Sequence, residues 1–311
     1  VELGKLLFDL SPEGSEAGEP DWRPLASPSP LALAAHAALE HGRDFVRRAG
    51  GVLEAVREPA RPARAPWKFA QALQGLATGF DPLPFNAPVG SRRAYEIVEL
   101  PLDEALQARR AFGVTVNDVA LAAITSALRN WCEHQGIDPD EPRRIKALCP
   151  VDNRAADDRE PGSNVSALVI DLPLAEASPR ERLLRIAECS RELKLGEIAE
   201  GANMWDRVTS LLPVPLLRAT SLLQFRGLMA QGNLMFSNVR GPAFPFYAFG
   251  GRVRAFFPYF GVQDGLGMNV VAFSYDGKLL LGVACDPDVF PEREIFVESL
   301  RKAFGELASA V

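Results

Sequence analysis

The apolar pattern of the 311-residue chain changes at Arg92, and this change limits the possible folds more than any other feature. Upstream, every periodic signal is helical and each is cut by Pro or Gly. Downstream, strand and helix signals alternate, and the chain closes on an antiparallel hairpin. Residues 94–100 read as a strand and residues 102–112 as a short helix stopped by Gly113. Thr115 opens a strong helix to His134 with Ala120, Ile124, Ala127, Leu128 and Trp131 on one face. Strands are expected at 145–150, 165–172, 234–239, 252–257, 270–275 and 278–285, and helices at 179–198 and 292–307. Asp276-Gly277 is a two-residue turn suited to a twisted hairpin. Interleaved elements of this kind call for a mixed sheet covered by helices: an α/β, two-layer sandwich.

The first third reads differently. Residues 1–10 form an amphipathic helix ending at Ser11-Pro12, and Glu13 to Pro30 is a Gly-, Pro- and Ser-rich linker. Leu31, Ala35 and Leu39, then Val46, Ala49, Leu53 and Val56, recur at helical spacing across residues 31–56, with a break at Gly50-Gly51. A Pro-rich stretch at 59–66 and a short helix near 67–76 follow. The chain opens inside a helix, with no initiator Met and no cap for the first N–H groups. The expectation is that a segment precedes it.

Composition excludes several classes. Hydrophobic content of 47% and charged content of 24% are globular values. A net charge of −6 argues against a nucleic-acid partner, which needs clustered Lys and Arg. The one basic run, Arg57 to Arg64, is interrupted by prolines and reads as a solvated linker. Cys132, Cys149, Cys189 and Cys285 form no Cys-x-x-Cys pair and read as reduced cytosolic thiols. No run approaches the ~20 apolar residues that span a bilayer. His36, His41 and His134 fit no zinc pattern, so no metal is expected. No Gly-x-Ser-x-Gly elbow or strand-linked Gly-x-Gly-x-x-Gly occurs.

The chemistry-bearing candidates are polar turns at element ends. Thr115 and Asp118 spell a capping box. Asn117 lies between them; it is a poor helix former and points from a positive helix N-terminus, where an amide donor can face a developing oxyanion. A strand runs into Ser237-Asn238 and stops at Gly241-Pro242, with Arg240 between. Pro161 to Asn164 precedes an apolar strand, and Gln263 to Asn269 holds an Asp-Gly turn. For each of these the plain alternative is a turn that satisfies its own backbone.

These residues resemble the bacterial wax ester synthase/acyl-CoA:diacylglycerol acyltransferase family. The carriers are Asn-Ala-Pro-Val-Gly-Ser-Arg-Arg at 86–93, Thr-Val-Asn-Asp-Val-Ala-Leu-Ala at 115–122, Cys-Pro-Val-Asp-Asn-Arg at 149–154 before Gly-Ser-Asn at 162–164, and Ser-Asn-Val-Arg-Gly-Pro at 237–242. Val1 to Pro12 is similar to the helix that follows the family's His-His-x-x-x-Asp-Gly motif, which this chain lacks; Asp264-Gly265 has no histidine before it. Asp152 and Arg240 depart from the family's usual Ser and Pro.

The resemblance implies a chloramphenicol acetyltransferase-like fold of two α/β halves around a tunnel. Residues 1–86 would then be the helical remainder of the first half and the crossover, and residues 87–311 the second half. It also implies transfer of a long-chain fatty acyl group from acyl-CoA to diacylglycerol or a long-chain alcohol, with no cofactor beyond the acyl-CoA donor. Asn117 and Asp118 would support the base carried by the N-terminal segment. Ser237, Asn238, Arg240, Gly241, Gln263 and Asn269 would contact substrate. Leu211 to Phe225 would offer a lipid-facing patch on a cytoplasmic protein peripheral to membranes or lipid droplets. A peptide-synthetase condensation domain of the same superfamily and a non-catalytic lipid-binding module are the competing readings.

Overall fold

A computed structural model of the chain describes residues 7–14, 27–33, 35–36, 39, 42, 79–152, 165–195 and 231–309. The proposed lipid-facing patch at 211–225, the helix near 67–76 and the turn at 161–164 lie outside these residues.

The second part of the chain is the expected two-layer arrangement. The elements run β1 (Ala94–Pro101), α1 (Leu102–Phe112), α2 (Val116–His134), β2 (Ile145–Asp152), β3 (Val165–Leu172), α3 (Pro179–Leu195), β4 (Leu234–Arg240), β5 (Tyr247–Ala248), β6 (Gly251–Arg252), β7 (Met268–Tyr275), β8 (Lys278–Cys285) and α4 (Arg293–Ser309). Six strands form one sheet in the order β1-β8-β7-β4-β2-β3. The β7–β4 and β4–β2 pairs are parallel and the rest antiparallel. The sheet is therefore mixed, with its parallel strands at the centre.

The helices cover one face. α2 is the central helix, apolar nearly all round, with residues 118–125 buried in succession. Such a helix is stable only inside a core. It lies against α3 and α4, and its Trp131 stacks on Phe290 with ring centroids 4.6 Å apart. Ile145, Ala147, Phe236, Val270, Ala272, Leu281 and Val283 rise from the sheet into the same core. Gly113, at φ 65°, ends α1 in the left-handed conformation that glycine adopts without a Cβ clash. Asp276 and Gly277, at φ 46° and 77°, form the hairpin turn between β7 and β8.

Several expectations change. Residues 8–10 are not helical: Asp9 exchanges two backbone hydrogen bonds with Tyr247, at 2.9 and 2.8 Å, and Phe8 packs on Phe246 and Phe256. Burial of one aromatic ring together with an available strand edge outweighs local helical periodicity. The strand expected at 252–257 reaches only Gly251–Arg252. Its backbone is claimed elsewhere: Val253 O accepts from Tyr275 Oη and Pro258 O from Tyr95 Oη, so residues 253–260 cross the sheet face as an irregular strap. Leu31 and Leu39 are each in helical conformation, yet both are solvent-exposed. Phe85 is fully buried against Trp131 and Phe290, so residues 83–86 pack on the same core as α2.

Candidate functional site

The central sheet is incompletely paired between β2 and β4, the strands that carry two of the sequence motifs. β2 and β4 pair over only two positions, Ala147↔Leu234 and Leu148↔Met235. The reason is local chemistry. Lys146 turns both backbone groups toward β4, its N donating to Asn233 Oδ1 at 2.9 Å and its O accepting from Asn233 N at 2.8 Å. Strand alternation turns Leu148 and Pro150 the same way. Pro150 has no N–H, so the next rung cannot form. Past Leu148 and Met235, β2 stays paired with β3 and β4 with β7. Asn238, Val239 and Arg240 are solvent-exposed on the departing strand.

The first turn of α2 lies near the part of β2 that holds Cys149. Thr115 caps the helix: its Oγ1 accepts from Asp118 N at 3.2 Å, while Asp118 Oδ2 accepts from Thr115 N at 2.9 Å and from Thr115 Oγ1 at 2.7 Å. The capping box read from the sequence is therefore present. Asp118 is only 3% exposed, and its second oxygen, Oδ1, is buried with no hydrogen-bond partner. It lies near Cys149, the first β2 residue beyond the last rung. Burial, with the Asp118 charge second, pushes the Cys149 thiol up to about 12. Burial likewise pushes Cys132 up to about 12 and Cys285 to about 11, so these thiols stay protonated and are poor nucleophiles. Asn117 is half-buried one residue earlier.

The β4 candidates divide between the two faces. Leu234 and Phe236 enter the helix-side core, whereas Met235 packs with Leu148 and Leu266 on the other face. Alternation then places Asn238 and Arg240 on the helix side, with Asn117 and Asp118, and Ser237 on the opposite side. Ser237 and Asn238 do not share a wall, as their adjacency in sequence suggested. Gly241 has a packing reason to be glycine: a Cβ there would stand 2.1 Å from Ser274 O and 2.5 Å from the Phe273 ring. Gln263 closes a tight turn, with N to Leu266 O at 3.2 Å and Leu266 N to Gln263 O at 2.8 Å, around Gly265 at φ 81°. Asn269 is fully buried; its Oδ1 accepts from Met235 N at 3.1 Å and its Nδ2 donates to Gly261 O at 2.9 Å. Both ends of that amide hold backbone.

Two residues missed as site-builders organise the split. Asn233 Nδ2 donates to Asp81 O and to Asn86 Oδ1, both at 2.9 Å. Asn86 Nδ2 donates in turn to Asn233 O at 2.8 Å and Gly265 O at 2.7 Å. This amide knot sets the start of β4 against β2 and the Gln263 turn. An asparagine directly before a strand is its only sequence signal, and the partner is 147 residues away. His134 lies at the opposite end of α2, exposed in its last turn, with Nδ1 3.0 Å from Asn130 O. Among the described residues no group of three or more His, Cys, Asp or Glu has metal-binding geometry. An open groove of about 650 Å³ lies at the far end of β2, with its cations already paired, Arg144 to Asp81 at 3.3 Å and Arg185 to Glu176 at 3.1 Å.

A mixed six-stranded sheet with parallel strands at its centre, covered on one face by helices, defines an α/β two-layer fold. The chain belongs to the wax ester synthase/diacylglycerol acyltransferase family. Residues 1–120 match the family model for the wax ester synthase/diacylglycerol acyltransferase catalytic domain, and residues 161–308 match that for the WS/DGAT C-terminal domain. The protein named "probable diacyglycerol O-acyltransferase Tgs4" of Mycobacterium tuberculosis is 29% identical over 223 residues, covering 71% of this chain and 46% of that protein. The M. tuberculosis protein named "probable diacyglycerol O-acyltransferase tgs1" is 29% identical over 231 residues, covering 72% of this chain and 48% of that one. The chain thus spans less than half the length of these curated relatives. The solved wax ester synthase/diacylglycerol acyltransferase from Marinobacter aquaeolei VT8 shares the fold, with a TM-score of 0.57 at 20% identity over 81% of this chain and 58% of that one.

Proposed function

We propose that this chain is the acceptor-side and wall-forming part of an O-acyltransferase that moves a long-chain fatty acyl group from acyl-CoA to diacylglycerol or a long-chain alcohol. The observation that carries the reading is the buried Asp118 in the capped first turn of α2, close enough to Cys149 of β2 for its charge to act on that thiol, just past the last pair between β2 and β4. A neutral alcohol is a weak nucleophile toward a thioester. A general base on a preceding segment with His-His-x-x-x-Asp-Gly removes the alcohol proton as the oxygen attacks the thioester carbon, a step typically worth ~10²–10⁴ in rate. The tetrahedral oxyanion needs a fixed donor, and Asn117 at a positive helix end is suited to that role. Collapse expels the CoA thiolate, which takes the proton back from the base. The thioester is already activated, so the transfer calls for no further cofactor.

Asn238 and Arg240 are the substrate contacts this reading favours on the helix side, with Ser237 on the opposite face. Gly241, Gln263 and Asn269 act through packing and backbone hydrogen bonds. Contact with a membrane or lipid droplet fits the substrates. Among the described residues no single helix is long and apolar enough to cross a bilayer, and the bent α1–α2 pair that passes on composition includes the buried central helix.

The test uses a longer protein that includes the preceding segment, supplied with radiolabelled acyl-CoA and either a lipid alcohol or an amine. The expected product is a neutral ester, and Asn117→Ala is expected to lower kcat by about 10²–10³, the usual cost of one oxyanion donor. Amide as the sole product, or an Asn117→Ala protein with unchanged kcat, contradicts the reading.

A further inference from the structure

The β5–β6 hairpin carries a residue that its own turn disfavours. Its two-residue tip, Phe249-Gly250, has φ 52° and 76°, both left-handed. Two successive left-handed residues are the pattern of a type I′ turn, which selects Asn-Gly or Asp-Gly because a bulky side chain there crowds its own backbone. Phe249 suits this turn poorly, and its ring is also fully exposed to water. A residue unfavourable to both backbone and solvent points to a role outside the fold itself. The hairpin has a firm root. Phe246 N donates to Tyr275 Oη and Tyr275 Oη donates to Val253 O, both at 2.8 Å. The Phe246 ring is buried among Phe8, Phe256 and Tyr275. The root is therefore fixed on the sheet while the tip projects.

What surrounds the tip indicates the partner. Asp9 is bonded to Tyr247, and Pro12 O lies 3.5 Å from where a Gly250 Cβ would stand, so the exposed Leu10 runs beside the hairpin. Phe244, its ring centroid 5.6 Å from that of Phe246, is exposed as well. Exposed cations stand behind this apolar end. Arg252 faces Tyr247 in the hairpin and shares Asp276; Arg254 has no ion pair among the described residues. A phenyl ring has no polar end, so it gains only by leaving water. An apolar tip backed by guanidinium groups matches the layering of a bilayer surface, with acyl chains beneath phosphates. We propose that the Phe249 tip inserts into a lipid surface carrying anionic headgroups, with Arg252 and Arg254 at the phosphates. This rests on the functional reading above, whose acceptor and product are lipids, and it names a docking face separate from residues 211–225.

The test floats the longer protein, with its preceding segment, on vesicles of phosphatidylcholine mixed with phosphatidylglycerol and on vesicles of phosphatidylcholine alone. The decisive variant is Phe249→Asn, which removes the ring and suits the turn better. Its expected effects are binding to the anionic vesicles weaker by about ten-fold or more, with thermal stability unchanged or raised. Arg254→Gln should weaken binding to the anionic vesicles by about five-fold and leave binding to the neutral ones in place. A parent protein that floats on neither vesicle overturns the proposal, as does a Phe249→Asn protein that floats like the parent. A Phe249→Asn protein that melts at a lower temperature also overturns it, because the ring is then packed on protein, either the preceding segment or a second copy. Flotation needs no turnover, so the two readings fail separately. A protein that docks through Phe249 yet transfers no acyl group refutes the functional reading alone. One that makes ester but floats equally with and without the ring refutes the docking alone.

Discussion

Gly241 shows how a residue's role is set by neighbours far away in sequence. It has no positive φ to explain it. The cause is closeness: Ser274 O and the Phe273 ring occupy the space a Cβ would take, at 2.1 and 2.5 Å. Gly241→Ala should therefore displace the end of β4 from β7 and cost about 2–4 kcal/mol, read as a lower urea midpoint at unchanged m-value. A variant as stable as the parent would show that the strand end shifts without cost. The capping box of Thr115 and Asp118 was readable from four consecutive residues because both partners lie in them. The Asn86–Asn233 knot and the buried amide of Asn269 were not. Their donors and acceptors are backbone groups on other elements, and no local pattern distinguishes a polar side chain that grips a distant carbonyl from one that faces a ligand.

At the scale of elements, the split between β2 and β4 is a consequence of one imino acid. The strands themselves were legible because 145–150 and 234–239 carry strong apolar patterns, but their partial pairing was not, since it depends on which edge Pro150 faces. Pro150→Val restores an N–H directed at β4 and adds a residue that favours strands. The expected outcome is an extended parallel ladder, seen as a slow-exchanging amide at position 150. In the longer protein it should come with turnover reduced by about ten-fold or more as the opening narrows, since small displacements from productive geometry are costly. Rapid exchange at that amide with full activity would show that something other than the missing donor holds the strands apart. The strand expected at 252–257 failed for the converse reason: its apolar spacing was right, but Tyr95 and Tyr275 hydroxyls bind its carbonyls and leave it no ladder to join.

At the scale of the whole molecule, the described second part has a single helix-side core, from Phe85 through Leu307, and a sheet face crossed by the 241–262 strap. The N-terminal residues 8–9 are joined to that strap through Tyr247 and the Phe246–Phe256 rings. Residues 8–9 are thus anchored to the part that holds Asn117 and Asp118. The mixed-sheet class was legible because alternating periods and the Asp276-Gly277 turn are short-range signals. How the motifs lie relative to one another was not legible, because spacing along the chain says nothing about which strand ends meet. The measurement that bears most directly on the account is CoA release from long-chain acyl-CoA with a lipid alcohol present, compared for this chain alone and for the longer protein that includes the preceding segment. The expected result is sustained release with the longer protein and only background with the chain alone. Robust turnover by the 311-residue chain by itself would contradict the claim that its base comes from elsewhere.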